Sequence, residues 1–309
     1  MTLLKALMAA LLLTQLAQAS SRQFDLSDLL PFETEKCAQW CQEIERETGL
    51  RYDPCAPAVA TFQKDGKELV YILAAHTADD PENPTCPMFG CIKSVVISLK
   101  PDCMILEGFD TSEEMQKSVC ALTTNPEPHK VLQEPMYGAF LAQKNGIPFM
   151  GGEPSDQQIL AALQEQGHSS DDMAFFYFLQ QAPQVHRENP LTQENIQDCF
   201  KHLAKGWASI FGKKNTYAEF QAWCLDKLGS ILSLEDMLSA TSTTAYPFVS
   251  RIQMDAMWVR DKTTLSRLLE AVECHQKVMI MYGSSHFYTQ HLVLEKYLGK
   301  PTFALYDPQ

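Results

Sequence analysis

The feature that most constrains the fold is an alternation of helical and strand-like segments in the last 45 residues or so. Residues 265–272 carry leucine and valine at the spacing of one helix face, and residues 278–282 form a continuous apolar run. A second helical segment follows up to residue 298, and a short strand is predicted at 302–306. Strands that alternate with helices predict a parallel sheet, because each parallel pair needs a crossover connection.

Earlier segments extend this pattern toward the N-terminus. Apolar strands are predicted at 67–75, 103–106 and 147–150, the last at an edge because it contains Pro148. Residues 89–99 suit a helix, although their Val and Ile content keeps a strand as an alternative. The prediction is one α/β domain over 20–309, a mostly parallel sheet with helices on both faces and a helical insertion at about 156–245.

The N-terminus has the features of a secretory signal peptide. Lys5 precedes an apolar stretch, and Ala17-Gln18-Ala19 forms a small-x-small cleavage site, so residues 1–19 are predicted to be removed. A retained membrane-anchoring helix is the alternative. No later apolar run approaches membrane-spanning length, so a secreted or periplasmic protein without a membrane span is expected.

Charge and cysteine content limit the possible partners of the protein and indicate how its cysteines are used. With 25 Lys+Arg against 38 Asp+Glu, the formal net charge is -13, which argues against nucleic acid and anionic membranes as partners. Ten cysteines in an exported chain favour disulfide bonds. A zinc site at Cys37 and Cys41 is the alternative for that pair, and Cys103 and Cys224 have apolar surroundings typical of a core. The ten are Cys37, Cys41, Cys55, Cys86, Cys91, Cys103, Cys120, Cys199, Cys224 and Cys274.

Four side chains follow the carboxyl ends of predicted strands. They are His76, Glu107, Glu153 and His286. Ligands of open α/β sheets bind at that edge, so the four are expected to converge there. Two imidazoles and two carboxylates suit Mn, Co, Zn or Fe, and such an ion lowers the pKa of bound water. For each residue alone, a local hydrogen bond or a helix cap is the competing interpretation.

Arg260 lies in the helix before the last strands. Its guanidinium would bind a substrate carboxylate or hold Glu107 or Glu153 in place, with a surface ion pair as the alternative. Ser284 and Ser285 beside His286 are poor candidates for a nucleophile, because sequence neighbours on a tight turn seldom face one another. The remaining histidines are weaker candidates: His291 is off the helical face of His286, and surface positions are expected for His129, His168, His186, His202 and His275.

The segment from Arg260 to Pro301, with its apolar strand, Gly283-x-x-His286 and helix ending at Gly299, resembles a superfamily signature. That superfamily comprises Tiki/TraB proteins, erythromycin-esterase-like enzymes and ChaN-like haem-uptake proteins. The blocks KPDCMILEG and GIPFMGGEPSD, with Glu107 and Glu153, are also similar to it. The resemblance implies an α/β fold with its site at the carboxyl edge. Tiki-like members are metal-dependent proteases, erythromycin-esterase-like members hydrolyse a lactone, and ChaN-like members bind haem.

The leading hypothesis is an exported metal-dependent hydrolase of the Tiki/erythromycin-esterase type. His76, Glu107, Glu153 and His286 would be the ligands. Glu107 or Glu153 would act as the base, and Arg260 would stabilise an oxyanion. A haem- or iron-binding protein of the ChaN type without catalysis is the second hypothesis. A secreted interaction protein is the third.

Overall fold

The structure, a computed structural model, describes residues 24–48, 58–74, 87–111, 117, 121, 134–241 and 245–305. A six-stranded mixed sheet forms its centre, in the order β4-β3-β5-β2-β1-β6. The strands are β1 (Ala58–Lys64), β2 (Lys67–Ala74), β3 (Cys103–Leu106), β4 (Phe149–Gly151), β5 (Lys277–Gly283) and β6 (Thr302–Leu305). Strands β4, β3, β5 and β2 are parallel, whereas β1 is antiparallel to both β2 and β6. The sheet is therefore mostly parallel, as predicted.

Ten helices lie within the described residues. They are α1 (Thr34–Thr48), α2 (Pro87–Leu99), α3 (Glu134–Asn145), α4 (Asp156–Glu165), α5 (Ser170–Glu188), α6 (Ile196–Phe211), α7 (Tyr217–Leu228), α8 (Leu234–Ser239), α9 (Pro247–Cys274) and α10 (Ser284–Leu298). The segment at 89–99 is thus a helix, and the strand alternative is wrong. Ser155 and Gln158 form a capping box at the N-terminus of α4.

Alternate residues of the strands belong to two different hydrophobic clusters. Leu69, Tyr71 and Leu73 pack with apolar residues of α9 and α10. Val70 and Ile72 pack with residues of α2 and α3. This division follows from the period of two along a strand, which points successive side chains to opposite sides of the sheet. Continuous apolar runs such as that of β2 are typical of strands buried on both sides.

A third cluster lies in the helical segment. Aromatic residues of α5, α6 and α7 form its centre, among them Phe175, Phe200 and Phe220. Val249 and Ile252 of α9 belong to the same cluster, whereas Leu265 and Leu268 of that helix belong to the sheet's core. Helix α9 therefore packs with the helical segment at its start and with the sheet at its end. The aromatic residues at 175–178 thus contribute to this core.

The antiparallel hairpin of β1 and β2 is absent from the sequence-based prediction, in which the first strand begins at residue 67. Asp65 and Gly66 form a two-residue loop in which both residues have positive φ, 52° and 77°. That geometry belongs to a type I′ turn, for which Asp-Gly is a favoured pair. In β1 the inward residues include Ala58 and Ala60, so the alternating hydrophobic signal is weak.

Two further predictions concern cysteines and membrane spans. Of the ten cysteines, Cys55, Cys86 and Cys120 lie outside the described residues, as does the signal segment. The seven that are described are free thiols, and Cys91, Cys103 and Cys224 are buried. Across the described part of the chain, no helix has both the length and the apolar character needed to cross a membrane.

Candidate functional site

The loops after β3 and β4 and the first turn of α10, directly after β5, bring Glu107, Glu153 and His286 to one place. In the parallel sheet β3 lies between β4 and β5, so the carboxyl ends of all three strands share an edge. Helix α9 crosses this edge and adds Arg260. All four side chains line one cavity of about 900 Å³, a size typical of small-molecule sites. Three of the four predicted ligands therefore meet, and His76 lies outside the described residues.

Arg260 joins the two glutamates. Its Nε donates to Glu153 Oε2 at 2.6 Å, and its Nη2 donates to Glu153 Oε1 at 2.5 Å. The same Nη2 is 3.5 Å from Glu107 Oε1. Because two parallel N–H groups match the two oxygens of a carboxylate, this pair fixes both side chains. This geometry agrees with the prediction that Arg260 holds Glu107 or Glu153 in place. It does not fit the alternative, a surface ion pair.

Glu153 is ionised despite its burial. Burial acts to raise the pKa of Glu153, but the charge of Arg260 and hydrogen bonds from Arg260 and Tyr282 outweigh it and leave the pKa below its ordinary value. Tyr282 donates its hydroxyl to Glu153 Oε1 at 2.5 Å. The pKa of Tyr282 is raised well above its ordinary value, mainly by burial and then by the charge of Glu153. Tyr282 is therefore a hydrogen-bond donor here and not an ion.

Glu107 lies on the other side of the guanidinium. The backbone N–H of Gly283 donates to its Oε2 at 2.7 Å. Its Oε1 is 3.7 Å from His286 Nε2. The backbone hydrogen bond fixes the carboxylate at the start of α10, where the helix dipole favours a negative charge. Glu107 and His286 thus face each other at the wall of the cavity.

His286 is oriented by Asp261, a residue that the sequence analysis did not single out. Asp261 Oδ1 is 2.6 Å from His286 Nδ1, and a carboxylate only accepts, so the proton between them is on Nδ1. Thr289 and Gln290 also donate to Asp261, at 2.7 and 2.8 Å. In the neutral ring the lone pair is then on Nε2, the nitrogen that faces Glu107. Such an arrangement suits a general base or a metal ligand.

Further contacts from α9 hold the loop before Glu153. Thr264 donates to the carbonyl of Gly152 at 3.0 Å, and Arg267 donates to the carbonyl of Glu153. Together with Arg260, these residues lie at positions three or four apart and so share one face of the helix. One helix face thus positions Glu153 through its side chain and its backbone.

Only part of this set of side chains fits a metal ion. Two donors of one ion at about 2 Å lie up to roughly 4 Å apart, so the 3.7 Å between Glu107 Oε1 and His286 Nε2 fits a shared ion. Glu153 fits less well, because Arg260 and Tyr282 already occupy both of its oxygens. Within the described residues no three His, Cys, Asp or Glu side chains form a metal-binding group. Glu107 and His286 therefore supply two of the three protein ligands that catalytic metal sites use.

Five histidines were predicted at the surface: His202 is exposed, His186 and His275 are partly buried, His168 is buried, and His129 lies outside the described residues. His168 was expected at the surface, but it is buried and its Nε2 is 2.7 Å from Asp255 Oδ2. Its ring lies outside the cavity. Apolar surroundings supplied by Phe248 explain the burial, and the carboxylate of Asp255 satisfies the ring nitrogen. His168 and Asp255 therefore form a second His–Asp pair with no access to the candidate site.

Gly151 allows the loops of β3 and β4 to meet, and its replacement is a test of the site's framework. A Cβ at this position would overlap the backbone carbonyls of Phe109 and Asp110. We expect Gly151→Ala to lower the free energy of unfolding by about 3 kcal/mol, because a backbone cannot give way as a side chain does. Urea unfolding measures this. Gly206→Ala, in α6 with open space around it, is the matched control and should be neutral or slightly stabilising.

No family model, curated protein or solved structure compared with this chain matches it. The assignment of a function therefore depends on the side-chain geometry.

Proposed function

We propose that this protein is an exported, metal-dependent hydrolase of the Tiki/erythromycin-esterase type, with its active site in the cavity at the carboxyl edge. The observation that carries the proposal is the buried pair of His286 and Asp261. Its side-chain exposures are only 5% and 2%, and it places His286 Nε2 at 3.7 Å from Glu107 Oε1. A histidine oriented by a carboxylate is the arrangement that activates water directly or through a metal.

Each charged residue has a role in this proposal. Glu107 and His286 would hold the ion, with His76 proposed as the third ligand. When bound, the ion would lower the pKa of water and polarise a carbonyl. Arg260 binds Glu153 and Glu107 through Nε and Nη2, so its Nη1 is available to donate to an oxyanion. Glu153 and Tyr282 keep the guanidinium in position.

The proposal also places the cavity under a helical insertion. In this view residues of about 156–245 form a cover, and helices lie on both faces of the sheet. The two clusters that divide the residues of β2 support the second point. The separate aromatic cluster of α5, α6 and α7 supports the first. Cavity-lining residues such as Tyr177 and Gln184 come from the cover.

Export carries a consequence for the cysteines. An exported chain would form disulfides that involve Cys55, Cys86 or Cys120, which lie outside the described residues. Secreted or periplasmic location is proposed from the signal segment alone.

The proposal is tested on the full mature chain by metal analysis and a substrate panel. The protein, purified without chelator, is expected to contain close to one divalent ion and to cleave an ester, lactone or peptide. Dialysis against a chelator should abolish cleavage, and adding back Mn, Co, Zn or Fe should restore it. No bound metal and no binding on titration would remove the metal from the proposal. A haem absorption band without any cleavage would favour the ChaN-type alternative instead.

A further inference from the structure

A chain of buried hydrogen bonds runs from strand β2 to His286. The hydroxyl of Tyr71 donates to Gln290 Oε1 at 3.3 Å, and Gln290 Nε2 donates to Asp261 Oδ1 at 2.8 Å. The same Oδ1 accepts from His286 Nδ1 at 2.6 Å. Tyr71, Gln290 and Asp261 are each at most 1% exposed, so bulk water cannot replace these partners.

Tyr71 determines which way the amide of Gln290 points. Burial raises the pKa of Tyr71 well above its ordinary value, and the charge of Asp261 raises it further, so the hydroxyl keeps its proton and donates. Gln290 must therefore turn its oxygen to Tyr71 and its NH2 group to Asp261, which as a carboxylate only accepts. The ring of Phe287 packs edge-to-face with that of Tyr71, with centroids 4.7 Å apart, and restricts its movement.

Gln290 is the donor that holds Asp261 on this side. The hydroxyl of Thr289 is 2.7 Å from Asp261 Oδ2 and 2.8 Å from the carbonyl of His286, so one proton serves two acceptors. The amide of Gln290, by contrast, is fixed at its oxygen by Tyr71 and donates from its nitrogen to Asp261. His286, Thr289 and Gln290 are three and four residues apart, so they share the face of α10 that meets Asp261.

We infer that Gln290, held by Tyr71, is a positioning residue for His286: it keeps Asp261 on Nδ1 and so leaves the lone pair of the ring on Nε2. The tautomer of a histidine is set by the hydrogen bond at its other nitrogen, so a carboxylate that moves would release the ring. The inference rests on the proposed function for the chemistry of Nε2, and it adds two residues to that site. Partners that orient a histidine in this way change activity or metal affinity by about 10- to 100-fold.

Gln290→Met removes the amide and keeps the length of the side chain. In the full mature chain, kcat/KM for the best substrate should fall about thirtyfold with KM nearly unchanged, because Gln290 lies outside the cavity. Asn215→Leu is the matched control, since Asn215 is also buried and its amide donates to a carboxylate, Asp171 Oδ1, at 3.0 Å away from the cavity. Both variants should lose stability, but only Gln290→Met should lose activity.

A double-mutant cycle tests the order of the chain. Tyr71→Phe should lower kcat/KM about threefold, since its bond of 3.3 Å is long and only orients the amide. Combined with Gln290→Met it should add nothing, because Tyr71 acts through Gln290. Two losses that multiply would contradict this order. Tyr71→Phe removes only a hydroxyl, so it carries the same measurements should Gln290→Met fail to fold.

The tautomer of His286 is measured without turnover, by nitrogen NMR of the full mature chain after a chelator has removed any metal. His286→Asn assigns the signals of the ring. In the wild type the proton should be on Nδ1. Gln290→Met should raise the fraction with the proton on Nε2 severalfold, and Asn215→Leu should leave it unchanged.

The two measurements separate this inference from the hydrolase proposal. An unchanged tautomer in Gln290→Met, or a wild-type ring with its proton on Nε2, would overturn the inference. So would an active protein whose kcat survives the substitution, and in that case the hydrolase proposal would stand. A changed tautomer in a protein that cleaves no ester, lactone or peptide would uphold the positioning role and count against the hydrolase.

Discussion

Replacing His286 with asparagine should lower the rate of the proposed hydrolysis by about a thousandfold. The side chain of asparagine has no lone-pair nitrogen at the position of Nε2, so neither proton transfer nor metal ligation is retained, and general bases typically contribute between 10² and 10⁴. The measurement is kcat/KM for the best substrate of the panel, with metal content determined on the same sample.

His168→Asn is the matched control for this substitution. It also removes a buried histidine whose ring nitrogen faces a carboxylate, at 2.7 Å from Asp255, but it lies away from the cavity. The His168 variant loses its Nε2 hydrogen bond to Asp255, whereas the asparagine amide of the His286 variant can donate to Asp261 in place of Nδ1, so the control should lose at least as much stability. Only the His286 variant should lose activity. Equal activity in the two variants would show that His286 is a structural residue.

Replacing Arg260 with methionine should lower the free energy of unfolding by about 3 kcal/mol at neutral pH. The substitution leaves Glu153 buried and ionised without its cation, and breaking one half of a buried pair costs several kcal/mol. The guanidinium of Arg260 is 23% exposed, so the lower end of that range applies. Arg251→Met, on the exposed side of the same helix, should cost little, since Arg251 has a single ion pair at 3.8 Å.

The pH dependence of that loss follows from the lowered pKa of Glu153. Because the pKa is lower in the folded state, the stability gained from the ionised carboxylate is present above the unfolded value of about 4.5. It is lost as the pH falls through the folded value. The difference between wild type and Arg260→Met should therefore shrink in acid, and adding Glu153→Gln should recover part of the loss at neutral pH. A difference independent of pH would mean that Glu153 is not the group left unpaired.

The positions of strand ends were enough to predict where Glu107, Glu153 and His286 meet, because parallel strands bring their carboxyl ends to one edge. The β1–β2 hairpin was missed although Asp65-Gly66 signals it, since alanines in β1 make the alternation weak. Strand β1 is antiparallel to β2 and is joined to it by a turn. The strand–helix alternation that reveals parallel strands is therefore missing there.

Asp261 was missed for a different reason. It precedes Leu265 by four residues and Leu268 by seven, so helical spacing places it on the buried face of α9. A carboxylate on such a face needs partners, which makes it a candidate for a positioning role. The partners of Asp261 are determined by the packing of α10 against α9. The spacing of residues in the sequence does not show that packing.

The length of α9 limits how this chain can be shortened. The helix has 28 residues, or about 42 Å at the usual rise per residue. Val249 and Ile252 near its beginning pack in the hydrophobic cluster of the helical segment, whereas Arg260 and Asp261 lie further along the same helix. Deleting residues 156–245 would expose the apolar side chains in the first turns of α9 to water. A trimmed protein would therefore aggregate unless those two aliphatic positions were made polar as well.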